Sequence, residues 1–316
     1  MSDEEPTEFL RPMLALDDTE LEVVNAFAFS MSCVHLVVSA TNEDEGLDAT
    51  ALLRVRLGTD GAHAEIVHEF NSTSLDYLAD DERSHTVLAS GGYLHRLVHG
   101  THAFHMFPDD ASYLPRLGRL DPATLLSLGD DGQVFAFRDG RYTRLDTGIE
   151  AHLRAFTSGP DGAYVGGDEG TLLRWNGTSF EPVSLEIDSG AAIASLHARA
   201  DGAVAIGCEH GLGFVLENGK LTRLAAHSAD LKSVTSFRGV EYWGDDDFGV
   251  YSREGAKLKQ RFETGYAFHL HATQDVMTVN AGYDVYLFDG ATWVRVTLEP
   301  DPDVLVKRDE LDFEPR

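Results

Sequence analysis

Two kinds of residue in this 316-residue sequence have the type and spacing to bind something: histidines and clustered carboxylates. His95, His99, His102 and His105 fall within eleven residues, and imidazole is the commonest metal ligand. A turn at His99-Gly100 would set His95 and His105 on neighbouring strands, so a surface zinc site would draw on that pair; packed or solvated rings are the simpler reading. His152, His197, His269 and His271 fall on or beside strands expected to line the centre of the fold. Alternation puts His269 and His271 on one face, as a metal-dependent hydrolase or lyase working in a central channel would need, yet no matching carboxylate or arginine accompanies them. The turns GDDG (129–132) and GDDDFG (244–249) lack the DxDxDG spacing and distal Glu that wrap calcium, and read as tight turns. A Gly-rich phosphate loop, a GxSxG elbow and HExxH are all missing, so no catalytic residue, metal or cofactor is assigned.

The scaffold for these residues is legible in the turns. A polar residue followed by glycine recurs between apolar runs at Asp60-Gly61, His99-Gly100, Asp139-Gly140, Asn176-Gly177, Asn218-Gly219, Glu254-Gly255 and Asp289-Gly290, at spacings of 35 to 42 residues. Such dipeptides suit two-residue hairpins, whose central positions both take positive φ. The flanks, Val134 to Phe137 and Tyr142 to Leu145 for example, are short and rich in β-branched and aromatic residues. An earlier turn in each unit reads GDDG (129–132), GDEG (167–170) and CEHG (208–211). Divergent copies read SGGY (90–93), GDDDFG (244–249), NAGYD (280–284) and TNEDEG (41–46). A third break, as at Gly159 to Gly162, completes four short strands in about 38 residues, the size of a propeller blade. The expected fold is all-β, a seven-bladed β-propeller of four-stranded antiparallel blades.

The repeat resembles that of bacterial β-propellers whose blades run Gly-acidic-x-Gly, apolar strand, polar-Gly turn, apolar strand, and it covers residues 21–298. The GH…WD signature of WD40 blades is missing, as is a regular kelch double glycine, which Gly91-Gly92 and Gly166-Gly167 imitate locally. The resemblance therefore implies an architecture and carries no activity with it. Residues 1–20 and 299–316 lie outside the repeat as acidic, proline-containing segments, either loose or packed on the ring to help close it. Extra polar residues at Asn42 to Ala49 and Asp80 to Ser84 read as extended loops.

Charge supplies the functional expectation. Asp and Glu number 53 against 25 Lys and Arg, a formal net charge of -28, which repels phosphate backbones and anionic headgroups and attracts cations. The expected partner is a basic protein, with no nucleic acid and no membrane. Cys33 and Cys208 are too few for a disulfide framework and read as buried thiols. The opening MSDEEPTEF lacks the basic start and apolar run of a secretory signal, and no apolar stretch nears the roughly 18 residues that span a bilayer. A cytoplasmic chain is expected, monomeric or in a heterodimer with its partner.

In an up-and-down blade, the turns between second and third strands share one end with the links between blades. Those turns carry Glu43, Asp44, Glu45, Asp130, Asp131, Asp168, Glu169, Glu209, Asp245, Asp246, Asp247 and Asp284; the links add Asp109, Asp110, Asp146, Glu150, Glu186, Asp188, Asp230 and Glu263, with no Lys or Arg in the same loops. The hairpin end mixes Arg138, Arg141, Lys220 and Arg253 with its acids. Turn chemistry accounts for Asp and Gly but not for the lack of basic residues. Tyr93, Tyr113, Phe248, Tyr266 and Tyr283 fall in the acidic loops and would serve as anchors. The expected function is a non-enzymatic binding propeller whose acidic face engages a basic protein, in concrete form an inhibitor or immunity protein for a cationic bacterial toxin. The alternatives are a metal-dependent hydrolase or lyase using the central channel, and a scaffold subunit of a larger assembly.

Overall fold

The computed structural model describes residues 9–59, 61–185, 190–225, 227–301 and 304–311; the turn residue Asp60 and the link carboxylates Glu186 and Asp188 lie outside the described residues. Every sheet is built from strands adjacent in sequence and paired antiparallel, the arrangement that short turns dictate. The fold is a seven-bladed β-propeller: blade 1 spans Glu20–Phe70, blade 2 Ser74–Met106, blade 3 Arg116–Leu145, blade 4 Leu153–Pro182, blade 5 Ile193–Arg223, blade 6 Leu231–Glu263 and blade 7 His269–Leu311.

By packing, the chain divides into two units. One holds residues up to 91, 95–103 and from 271 on; the other holds 92–94 and 104–270, and so contains blades 3 to 6. In the second unit two hairpin turns have the positive φ angles expected of both positions, 51° and 75° at Asp139-Gly140 and 51° and 74° at Asn218-Gly219. Asn176-Gly177 instead opens a four-residue loop between Trp175 and Phe180, and Glu254 is the strand residue opposite Lys257, so that of its dipeptide only Gly255 lies in the turn. The core lies in layers between neighbouring blades. Leu126, Val134, Val165 and Leu173 fill the layer between blades 3 and 4; Leu172, Ile193, Ile206 and Phe214 fill the next. Burying each such side chain is worth about 2 kcal/mol. Trp243 of blade 6 is fully buried, and its indole N–H donates to Glu241 Oε1 at 2.9 Å. Glu241 also takes Arg253 Nε at 2.6 Å, so a buried carboxylate is held by two donors.

The first unit departs from expectation in two places. The extra residues of blade 1 lengthen its strands: Cys33–Asn42 and Leu47–Gly58 pair in continuous register from Cys33 opposite Arg56 to Asn42 opposite Leu47. Asp81 pairs with Ser84 across a tight hairpin. The alternation of Val34, Leu36 and Val38 with their buried partners carries the strands past the point where polar residues suggested loops. The terminal segments also pack. A short helix, Leu10–Met13, buries Leu10 and Met13, and Glu69 accepts the Phe9 and Leu10 N–H groups at 3.2 and 2.8 Å. Val306–Leu311 adds a fifth strand to blade 7 beside Trp293–Leu298. Cys33 and Cys208 are both buried and unbridged, and burial, followed by the neighbouring Glu209 charge, pushes the Cys208 thiol up to about 12.

Two glycine substitutions separate close approach from backbone strain. Gly211 has φ +67°, and a Cβ there would run into the His227 carbonyl, whereas Gly219 has φ +74° with open space around it. Gly211→Ala should lower stability by about 3 kcal/mol or more and Gly219→Ala by about 1 kcal/mol, read from urea denaturation; equal losses would contradict the packing.

Candidate functional site

In blades 3, 4 and 5 the turn between second and third strands is one structure built three times. Asp130-Asp131-Gly132, Asp168-Glu169-Gly170 and Glu209-His210-Gly211 each form a tight turn with the second residue left-handed (φ 55°, 56° and 60°). The N–H of the first residue donates to the link that leads into the same blade: Asp130 to Tyr113 O at 2.9 Å, Asp168 to His152 O at 2.9 Å and Glu209 to Ala192 O at 3.0 Å. In blades 3 and 5 the chain entering the next blade binds the same turn from the other side, with Leu153 N–H on Gly129 O at 2.9 Å and His227 N–H on Gly211 O at 3.1 Å. Turns and links of this unit therefore occupy one end of their blades.

Cations reach that end from a source the loops do not reveal. The first strands of blades 4, 5 and 6 each carry a β-bulge after their first residue, because Leu153, Ile193 and Leu231 pair with Gly167, Cys208 and Asp245 while the next paired residues are Ala155, Ser195 and Ser233. The bulged residues are Arg154, Ala194 and Lys232, and a bulge re-aims its side chain. Arg154 forms ion pairs with Asp168 (2.5 Å) and, across blades, with Glu209 (3.4 Å). Lys232 pairs with Asp230 at 2.8 Å and Asp246 at 3.5 Å. Burial alone would raise the Asp230 carboxyl, but Lys232 and the His210 N–H hold it below its ordinary range. His152 bonds Asp130. The acidic end thus has an inner tier of carboxylates compensated by Arg154 and Lys232, with His152 against Asp130.

Asp245 has a structural place. Its side chain is 0% exposed, and it accepts the N–H groups of Asp247, Phe248 and Gly249 at 3.3, 2.7 and 2.6 Å together with His227 Nε2 at 2.6 Å. Its oxygens hold the 245–249 loop and are unavailable to a partner. Asp246 is half-buried against Lys232. The outer tier is Asp131, Glu169 and Asp247, all exposed and without an ion pair among the described residues; Asp131 accepts the Ser112 hydroxyl at 2.9 Å. Beside Asp131 a hollow of about 580 Å3 is walled by Asp146, Glu150 and Arg144, the arginine leaning to Asp110 at 3.5 Å.

The anchoring aromatics divide. Tyr113 is 54% and Phe248 40% exposed. Tyr266 is half-buried with its ring stacked on Phe268 at 4.7 Å, and Tyr93 is half-buried against Phe104. Tyr283 and Asp284 belong to the first unit, where Tyr283 is 53% exposed and Asp284 accepts the Thr297 hydroxyl at 2.6 Å.

The histidines do not assemble a metal centre. His95 stacks on Phe70 at 4.4 Å and shares a 3.1 Å hydrogen bond with His102, while His105 packs on Phe137 at 4.7 Å. His197 bonds the Ser236 hydroxyl at 2.8 Å. Burial, then the Arg116 charge, lowers His269 to about 3; burial lowers His271 to about 4, its ring lying 3.7 Å from that of Phe27. Among the described residues no group of three or more His, Cys, Asp or Glu is arranged to hold a metal ion.

Asp245 predicts acid behaviour. Burial would raise its carboxyl, but His227 and the three backbone donors outweigh it and hold it below the ordinary 3.8. A depressed folded-state value gives stabilisation that is complete above the unfolded-state value and is lost as pH falls through the folded one. Asp245→Asn should therefore cost about 2 to 3 kcal/mol near neutral pH, and the gap to the parent should shrink as pH falls from the ordinary value of 3.8 through the lower folded-state one in urea denaturation series; a gap independent of pH would refute this assignment.

No protein-family profile and no curated protein matches this sequence. Solved structures do. The WD40 β-propeller domain of Doa1 is similar with a TM-score of 0.67 at 11% identity, covering 95% of this chain and 96% of that one. The computationally designed Ika8 protein gives 0.65 at 14% identity, covering 92% and 96%. YCF48 bound to D1 peptide gives 0.62 at 9% identity, covering 84% and 93%. At such identities the likeness is one of fold, that of a β-propeller.

Proposed function

We propose that the chain is a non-enzymatic binding protein whose acidic turn end in blades 3 to 6 engages a basic protein partner. The observation that carries this reading is the two-tier arrangement of carboxylates. Arg154 and Lys232 are consumed by the inner tier, which leaves Asp131, Glu169 and Asp247 facing solvent as uncompensated negative charge. Tyr113 and Phe248 stand among them as large exposed rings, the residue class that anchors interfaces. The hollow beside Asp131 has the charge to receive a lysine or arginine side chain. YCF48, similar in fold, was solved with a peptide bound. The more specific form of the reading is an inhibitor, such as the immunity protein of a cationic bacterial toxin, occluding a basic surface by charge complementarity. Its proposed place of action is the cytoplasm; among the described residues no helix is long and apolar enough to cross a membrane.

The test is capture of proteins from native lysate on the immobilised chain. Basic proteins should be retained at about 50 mM salt and released near 0.5 M, where the screening length falls to a few ångströms. The triple reversal Asp131→Lys, Glu169→Lys, Asp247→Lys should lose them and slow association of the captured partner by about tenfold or more. Asp139→Lys, on the hairpin end, should behave as the parent. Equal capture by the triple variant would reject the acidic end as the docking surface.

A further inference from the structure

Blade 3 breaks a rule that blades 5 and 6 keep. Residues flanking a two-residue hairpin turn stand directly opposite each other: Glu217 faces Lys220 in blade 5, and Glu254 faces Lys257 in blade 6. In blade 3, Arg138 faces Arg141, a like-charge pair that works against the hairpin it closes. Their carboxylate neighbours are loose ones: the Arg138 charge acts on Asp121 at a distance, without an ion pair between them among the described residues. Arg138 lies 3.9 Å from Asp139 with the two side chains 62% and 92% exposed, a geometry that water screens. Arg141 is exposed and makes no ion pair among the described residues.

Both arginines line a groove of about 810 Å3 between blades 3 and 4 at the hairpin end. Strand register places Arg138 opposite Arg141 and Ala136 opposite Thr143 on the same sheet face, with Leu145 two residues further along. The groove therefore grades from paired guanidiniums beside the turn to an apolar interior, closed by Ala163 and the half-buried Trp175 of blade 4. Asp121 and Asp139 also border it; the Asp121 carboxylate accepts the Ala123 N–H at 2.8 Å, and Asp139 is turned out to solvent at 92% exposure.

We propose that this groove binds a small monocarboxylate with an aromatic or aliphatic body, its carboxylate bridging Arg138 and Arg141 and its body against Leu145 and Trp175. An anion between the two guanidiniums converts their repulsion into charge-assisted hydrogen bonds. The volume falls within the range of small-ligand sites. The formal charge of -28 repels polyanions at long range, which favours a singly charged ligand over an acidic peptide or a phosphate ester.

The experiment is calorimetric titration of the full chain with indole-3-propionate, 3-phenylpropionate and octanoate, each beside its primary amide. At least one acid should saturate the protein with a dissociation constant of about 1 mM or tighter, and its amide should bind at least about tenfold more weakly. Arg138→Glu installs the pairing used in blades 5 and 6, so it should hold or raise the thermal midpoint while weakening the acid by about tenfold or more; Arg141→Gln should show the same loss of binding. Acid and amide binding alike, no saturation by any acid at about 10 mM, undiminished binding by either variant, or a lowered midpoint in Arg138→Glu would each overturn the proposal.

Discussion

Hydrogen bonds between the second-to-third-strand turns and the links beside them set the geometry of blades 3 to 5. In blades 3 and 5 the turn donates through its first residue to the link entering its own blade and is bound from the chain entering the next, so each of these turns fixes the spacing of two blades; the turn of blade 4 donates to its own link in the same way. Buried main-chain groups must be paired, and here the pairing partners belong to different blades. The turn is consequently specified by more than local propensity. Its glycine is required at Gly132 and Gly211 because the neighbouring link passes where a side chain would otherwise stand.

That constraint also explains how so acidic a surface is tolerated. The bulge that follows Leu153 and Leu231 brings Arg154 and Lys232 up to the turns, and the Arg154 pairs with Asp168 and Glu209 tie blades 4 and 5 as well as balancing charge. Carboxylates close to the backbone are compensated, and those further out remain for solvent. Like-charge repulsion is thereby confined to side chains that are well hydrated and free to move apart.

Much of this was legible in the residues. The polar-Gly dipeptides locate the hairpins because glycine at positive φ marks each described turn, with a left-handed polar residue before it at His99, Asp139 and Asn218, and GDDG, GDEG and CEHG locate the shared turn through a left-handed residue followed by a left-handed glycine. The aromatic and carboxylate positions on those loops follow directly. What escaped was contact across blades. Leu153-Arg154-Ala155 and Leu231-Lys232-Ser233 look like ordinary strand residues, and a bulge that turns the middle residue toward a neighbouring loop has no signature beyond a charged residue between a buried apolar one and a small one. The role of Asp245 was hidden likewise, since three of its four donors are main-chain groups of its own loop. Polar composition misled at Asn42 to Ala49, where packing on both faces extends the sheet of blade 1.

In the first unit, residues far apart in sequence are joined. Ala28 N–H donates to the Thr278 hydroxyl 250 residues away at 3.1 Å, Asn280 donates to Val23 O at 2.8 Å, and Arg308 reaches Gly58 O at 2.9 Å. Blades 1 and 7 share one hydrophobic layer, to which blade 1 contributes Leu36 and Val38 and blade 7 contributes Val285 and Val296. Hairpins within a blade close over a few residues, whereas this seam forms only after most of the polypeptide has been ordered, with the loop-closure entropy that long separations carry. A nascent chain would hold the apolar flank of blade 1 bare until its last strands emerge, which makes that flank the place where a chaperone, or a misdirected strand, has the longest opportunity to act.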